Sequence, residues 1–237
     1  MKMPELPDNV NWVEADSRSA LAARLAEDVA ARLRSGLESR DRVSLAVSGG
    51  STPVPFFEAL SQQALPWSRV DVTLVDERWV GGQHEASNTR LVKNHLLVNE
   101  AAAARFVPLK TSELTPYDAL DSVEAQLESL AWPLNVAVLG MGNDGHTASL
   151  FPGAAGLASA LAPEGDARVA AMTPLDAPHD RITFTASALL RAGHRALHIV
   201  GEDKRMTLEK ALENLEDVAQ MPIRLFLQQP LTIYWCA

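Results

Sequence analysis

The sequence predicts an α/β fold: a single domain over residues 1–237, with a mostly parallel central sheet and helices on both faces in a Rossmann-like arrangement. Three observations carry that expectation. Short apolar runs alternate with segments of helical periodicity along the chain. The 237 residues suit one large domain and are enough to bury a substantial core. Polar motifs follow four of the apolar runs, where a parallel sheet presents its ligand-binding edge.

The first element is an amphipathic helix over 16–37, with Leu21, Leu25, Val29 and Leu33 four residues apart. Ser17 or Ser19 would cap it and Gly36 would stop it. Apolar runs at 43–47, 70–75, 106–109, 135–139, 168–172, 196–200 and 231–235 read as strands. Between them, 88–97, 115–130, 185–193 and 204–215 read as helices. The Ala-, Gly- and Pro-rich stretch from Gly153 to Asp166 reads as a loop, and no internal repeat or low-complexity tract breaks the pattern.

Composition narrows the function. At 47% hydrophobic, 22% charged and net charge −9, the chain reads as an ordinary soluble globular protein. The acidic balance argues against nucleic acid and anionic membranes as partners. An anionic ligand would have to be held by a few placed cations. The single cysteine, Cys236, cannot form an internal disulfide, which fits a reducing compartment. The N-terminal segment lacks the apolar core of a signal peptide, and no apolar run approaches the roughly 20 residues a membrane helix needs. A cytoplasmic protein is expected. His84, His95, His179, His194 and His198 show no metal-ligand spacing, so no metal is expected.

The four motifs are Ser48 to Thr52, Asp76-Glu77-Arg78, Gly140 to His146, and Gly201 to Lys204. On one sheet edge they would share one site. Gly49, Gly50, Ser51 and Thr52 read either as a flexible turn or as a cradle of N–H groups and hydroxyls for an anion. The turn lacks the Gly-Lys-Ser/Thr ending of a nucleotide P-loop, so a monophosphate suits it better. Gly140, Gly142 and Gly145 match G-x-G-x-x-G, the dinucleotide fingerprint. Against that reading, Phe151-Pro152-Gly153 cuts the following segment short, and Glu164 and Asp166 fall before the next apolar run. Within the same loop, His146 is a candidate base, because imidazole ordinarily titrates near neutral pH. Asp144 is placed to orient it. Arg78, Arg181 and Lys204 are candidate sources of positive charge.

Taken together, "LAVSGGSTP", "VTLVDERWV", "SNTRLVKNHLL", "VAVLGMGNDGHTASLFPG", "RITFT" and "IVGEDK" resemble the 6-phosphogluconolactonase family, in the fold group that also holds the glucosamine-6-phosphate isomerase/deaminases. These segments run in family order over about two-thirds of the chain. The resemblance implies a single α/β domain and hydrolysis of 6-phospho-D-glucono-1,5-lactone, the second step of the oxidative pentose phosphate pathway. It implies no cofactor and a phosphosugar lactone as the small-molecule partner. The sequence does not fix the oligomeric state, and a monomer is the favoured expectation. It makes His146 the general base, with Asp144 beside it, and Arg78 a catalytic or phosphate contact. Gly49, Gly50, Ser51, Thr52, Arg181 and Lys204 match phosphate-holding positions, while Asp76, Asn88 and Gly142 line the pocket. Asn143 stands where many relatives carry proline or glutamate. The isomerase/deaminases carry a glutamate five residues after the histidine, where this chain has Phe151. Two other readings stay open: a serine esterase using Ser48 or Ser51, without a G-x-S-x-G elbow, and a non-catalytic sugar-phosphate sensor, without a basic recognition helix. The oxyanion donors are expected among the N–H groups of a glycine-rich loop.

Overall fold

The computed structural model describes residues 4–237; residues 1–3, the start of the segment read as lacking a signal-peptide core, lie outside the described residues. Along the chain run β1 (Val10–Glu14), α1 (Arg18–Ser39), β2 (Val43–Val47), α2 (Val54–Ser61), β3 (Val70–Leu74), β4 (Asp76–Arg78), α3 (Asn88–His95), β5 (Arg105–Phe106) and α4 (Leu120–Leu127). They are followed by β6 (Val136–Leu139), α5 (Leu157–Leu161), β7 (Val169–Met172), β8 (Arg181–Phe184), α6 (Ala186–Leu190), β9 (His194–Val200), α7 (Glu202–Leu212), α8 (Ile223–Leu227) and β10 (Leu231–Cys236).

Seven strands form the main sheet in the order β1-β10-β9-β6-β2-β3-β5, and every pairing is parallel. Every residue of β2, β3 and β6 is buried, so both faces of the sheet centre are covered, as a parallel sheet requires. From β2 the chain runs outward to β3 and β5, then returns to β6 on the other side and continues to β9 and β10. The topological switch therefore lies between β2 and β6, where open α/β sheets form their binding crevice.

Helix α1 buries Leu21, Leu25, Val29 and Leu33 at the expected spacing. Ser17 caps it by accepting a hydrogen bond from the Ala20 N–H at 3.2 Å. Gly36 does not stop the helix, which continues to Ser39. A Cβ there would lie 2.5 Å from Asn135 Nδ2 and 2.8 Å from Val43 Cγ1, so this glycine lets α1 press against the sheet. Tyr234 on β10 donates to Asp28 on α1 at 2.9 Å, pinning that helix to its strand.

The structure departs from the sequence expectation in three places. The run at 168–172 does not join the main sheet: β7 pairs antiparallel with β8, and β8 with β4, in a separate three-stranded sheet. Strands β1, β4 and β8 were not anticipated as strands, because each takes its pairing from a distant segment. The stretch 153–166 contains the short helix α5, too brief to show a helical period. No helix among the described residues is long and apolar enough to cross a membrane.

Two histidines on β9 are held neutral by burial. Desolvation, aided by the Arg32 and Arg195 charges, pushes the His194 pKa down to about 4. Desolvation alone brings His198 down to about 4. Between pH ~6.5 and ~4 the unfolded chain binds protons that the folded chain refuses, so this contribution to stability is present above ~6.5 and lost as pH falls toward 4. Thermal midpoints measured across that window should fall, and His194→Leu should show a shallower fall than the parent. Equal slopes would mean that His194 does not carry the effect.

Candidate functional site

The C-terminal ends of β2, β3, β6 and β9 deliver the four motifs to one edge of the sheet. They enclose a cavity of about 360 Å³ whose lining includes Gly49 to Thr52, Asp76, Arg78, Asn88, Gly142, His146 and Lys204. Asp144, Asn143 and Arg181 complete the set of expected residues from just outside that lining, each through a neighbour described below.

The exits of β2 and β6 are tied to each other. Ser48 Oγ donates to the Val138 carbonyl at 3.1 Å and accepts from the Gly140 N–H at 3.0 Å. This commits the Ser48 hydroxyl to the backbone and leaves it unsuited to the nucleophile role of the esterase reading. One residue further on, Gly49 passes over Asn88, where a Cβ would fall 1.9 Å from Asn88 Oδ1. Only glycine permits that approach.

His146 is held by its own loop. Its backbone N–H donates to Asp144 Oδ1 at 3.1 Å, and its Nδ1 lies 2.6 Å from the same oxygen. Burial alone would raise the Asp144 pKa, but the hydrogen bond and charge of His146 hold this carboxyl below the usual range. An ionised Asp144 accepts, so Nδ1 carries a proton, and in the neutral ring Nε2 keeps its lone pair. The Gly142 N–H donates to the His146 carbonyl at 2.9 Å, closing the loop. A Cβ on Gly142 would meet the imidazole at 2.2 Å, so the spacing "GMGNDGH" is a packing requirement as much as a turn signal. Phe151 packs against His146 with ring centroids 4.5 Å apart.

The basic residues divide into two groups. Lys204, in the first turn of α7, donates to Asn143 Oδ1 at 2.5 Å and faces Ser51 and Thr52 across the main cavity. That hydrogen bond ties the Lys204 amine to the Gly140 to His146 loop. Arg181 does not join Lys204. It lines an adjoining cavity with Arg78, Asp76, His146 and Phe151. The sequence reading grouped Arg181 with Lys204; β8 places it instead beside β4, where Arg78 and Arg181 are register partners. Arg181 Nη1 donates to the carbonyls of Pro178 at 2.6 Å and His179 at 2.9 Å, and Arg78 Nη1 to that of Ala86 at 2.7 Å. No ion pair to either arginine occurs among the described residues. Burial first, and then the Arg78 charge, lower the Arg181 pKa. Arg181 also lies over the Phe151 ring, 5.8 Å from its centroid. Two adjacent guanidinium groups whose hydrogen bonds go to backbone carbonyls suit an anion.

Glu77 and Ser149 are contributors that the sequence reading left without a role. Glu77 is fully buried, and its carboxylate accepts from the N–H groups of Arg78, Asn88 and Thr89 and from Ser87 Oγ, at 2.7 to 3.1 Å. It thus caps the N-terminus of α3 and fixes two site residues at once. Ser149 Oγ donates to Asp76 Oδ2 at 2.6 Å, while Asn88 Nδ2 donates to the Asp76 carbonyl at 2.9 Å. Glu77 lies within the Asp76-Glu77-Arg78 motif, but its burial comes from tertiary contacts. Among the described residues, no group of three or more His, Cys, Asp or Glu side chains could hold a metal ion.

Comparison with known proteins agrees with this arrangement. Over residues 16–235 the chain matches the family described as glucosamine-6-phosphate isomerases/6-phosphogluconolactonase. It is 45% identical over 231 residues to a 6-phosphogluconolactonase of Pseudomonas aeruginosa, covering 98% of this chain and 97% of that one. It is 49% identical over 223 residues to one of Rhizobium meliloti, covering 93% and 96%. The crystal structure of a 6-phosphogluconolactonase from Shewanella baltica superimposes with a TM-score of 0.94 at 42% identity, covering 98% of this chain and all of that one. With a matching fold, a family match across nearly its whole length and relatives this similar, the chain belongs to the glucosamine-6-phosphate isomerase/6-phosphogluconolactonase family.

Proposed function

We propose that this chain hydrolyses 6-phospho-D-glucono-1,5-lactone to 6-phospho-D-gluconate, as the names of its relatives suggest. The observation that carries the reading is the pairing of His146 with Asp144 at 2.6 Å, with Phe151 packed on the imidazole where the isomerase/deaminases resemble one another in carrying a glutamate. Lactone opening needs one base that later acts as an acid. Sugar isomerisation needs a further proton-carrying group at that place.

In this reading the phosphate sits at Ser51, Thr52 and Lys204, and the lactone carbonyl lies toward His146, Arg78 and Arg181. Anchoring the remote phosphate orients the carbonyl carbon for attack. His146 Nε2 takes a proton from water as the water oxygen bonds to that carbon, a contribution typically around 10²- to 10⁴-fold. The N–H groups of Gly140, Gly142 and Gly145 already have partners within the protein, so the tetrahedral oxyanion is assigned to the guanidinium groups rather than to those loop amides. The imidazolium then protonates the ring oxygen as the carbon–oxygen bond breaks. Asp144 stabilises the charged ring, and the product leaves as a carboxylate.

The reading needs no metal or cofactor and places the enzyme in the cytoplasm. It also takes a monomer as the favoured state.

His146→Ala should lower kcat by at least about 100-fold with little change in KM, followed by NMR of fresh lactone against spontaneous hydrolysis. An unchanged kcat would remove His146 from the mechanism. Gly142→Ala should reduce kcat by about 100-fold while circular dichroism stays that of the parent, because the new methyl displaces the imidazole. Lys204→Ala should raise KM for the phosphorylated lactone about tenfold and leave D-glucono-1,5-lactone unaffected, whereas Arg181→Ala should lower kcat on both. The opposite pattern would exchange the two ends of the site.

A further inference from the structure

A second cavity, of about 320 Å³, opens beside the first and shares Ser51, Thr52, His198, Val200 and Lys204 with it. Its outer wall includes Arg18, the first residue of α1. Arg18 belongs to none of the four motifs and precedes all of them. It is exposed, and no hydrogen bond or ion pair of its side chain occurs among the described residues. A cation facing a turn of free N–H groups and hydroxyls, beside a second cation, is arranged for a multiply charged anion.

The floor of the shared region supplies an independent observation. His198 is 5% exposed and lines both cavities, yet its enclosed Nδ1 has no hydrogen-bond partner. A neutral imidazole that avoids an orphaned N–H carries its proton on Nε2. The ring is packed edge-on to Phe56, with centroids 6.2 Å apart, which fixes its plane. The shared region thus pairs an uncharged ring donor below with Lys204 and Arg18 at the sides. One carboxylate, Asp203, lines the same cavity, so the two cations leave this end with net positive charge.

Resting on the lactonase reading, we propose that Arg18 is a further phosphate-recognition residue, closing the outer side of the phosphate held at Ser51, Thr52 and Lys204, with His198 beneath it. Arg18 acts on binding and specificity, not on the chemical step. It favours the phosphate dianion over uncharged sugars and lies away from His146.

The test compares the parent, Arg18→Ala and Arg18→Lys. Because the side chain is exposed, the folded state should survive, checked by an unchanged thermal midpoint. Arg18→Ala should raise KM for the phosphorylated lactone about 5- to 20-fold, with kcat within about twofold and D-glucono-1,5-lactone turnover unchanged. Titration calorimetry with 6-phosphogluconate should show the same loss, and Arg18→Lys should recover part of it. The difference between parent and variant should shrink as salt rises. Equal affinities in parent and Arg18→Ala would overturn the assignment. Failure of the lactonase reading shows separately, as a parent protein that does not accelerate lactone hydrolysis. In that case inorganic phosphate is the probe: binding that weakens in Arg18→Ala supports the assignment, and equal binding or none overturns it.

Discussion

The hydroxyl of Ser48 bridges the exits of the two strands that flank the topological switch, donating to Val138 and accepting from Gly140. Both site loops start from that bridge. On the β2 side the chain turns through Gly49 to Thr52 into α2; on the β6 side it turns through Gly140 to His146. Parallel strands end with unpaired backbone groups at the same edge, and a side chain that satisfies both neighbours holds the two loops at a fixed separation. Everything later in the site inherits this spacing, including the close passage of Gly49 over Asn88 and of Gly142 against His146.

Charge is distributed as unevenly as the loops. At the opposite edge of the sheet, Asp71 is fully buried and joined to Arg42 and Arg105 at 2.5 and 2.7 Å. Burial alone would raise its pKa, but the two guanidinium groups hold that carboxyl below the usual range. That end is electrostatically closed. At the site edge, Arg78 and Arg181 donate to backbone carbonyls, and Lys204 is held by the neutral side chain of Asn143. A chain of net charge −9 therefore gathers cations in one crevice, with the Asp76 carboxylate also on its lining, where low-dielectric walls strengthen their pull on an anion.

The two cationic groups flank His146 from different elements. Arg78 and Arg181 come from the small antiparallel sheet, Lys204 from the start of α7. A substrate with a phosphate at one end and a carbonyl at the other can bridge them, and its length then sets where the reacting carbon lies. Glu77 supports this geometry from within the protein. Its buried carboxylate is satisfied by three backbone N–H groups and one hydroxyl, and so it fixes Arg78 and Asn88.

The sequence by itself determined the α/β class, most strands of the main sheet, the amphipathic face of α1, and the gathering of four motifs at one edge. These follow from local periodicity and from the rule that parallel strands end together, both of which can be read along a single line of residues. Asp144 and His146, two residues apart on one loop, were legible for the same reason. Tertiary structure alone decided that β7 pairs with β8 and β8 with β4 in a separate sheet, and so that Arg181 stands beside Arg78. It also brought Arg18 across to the turn at Ser51, and gave Gly36 a packing role in place of a stop. Strand pairing and helix docking depend on contacts between residues far apart in the chain, and the chemistry of an isolated segment does not encode its partner.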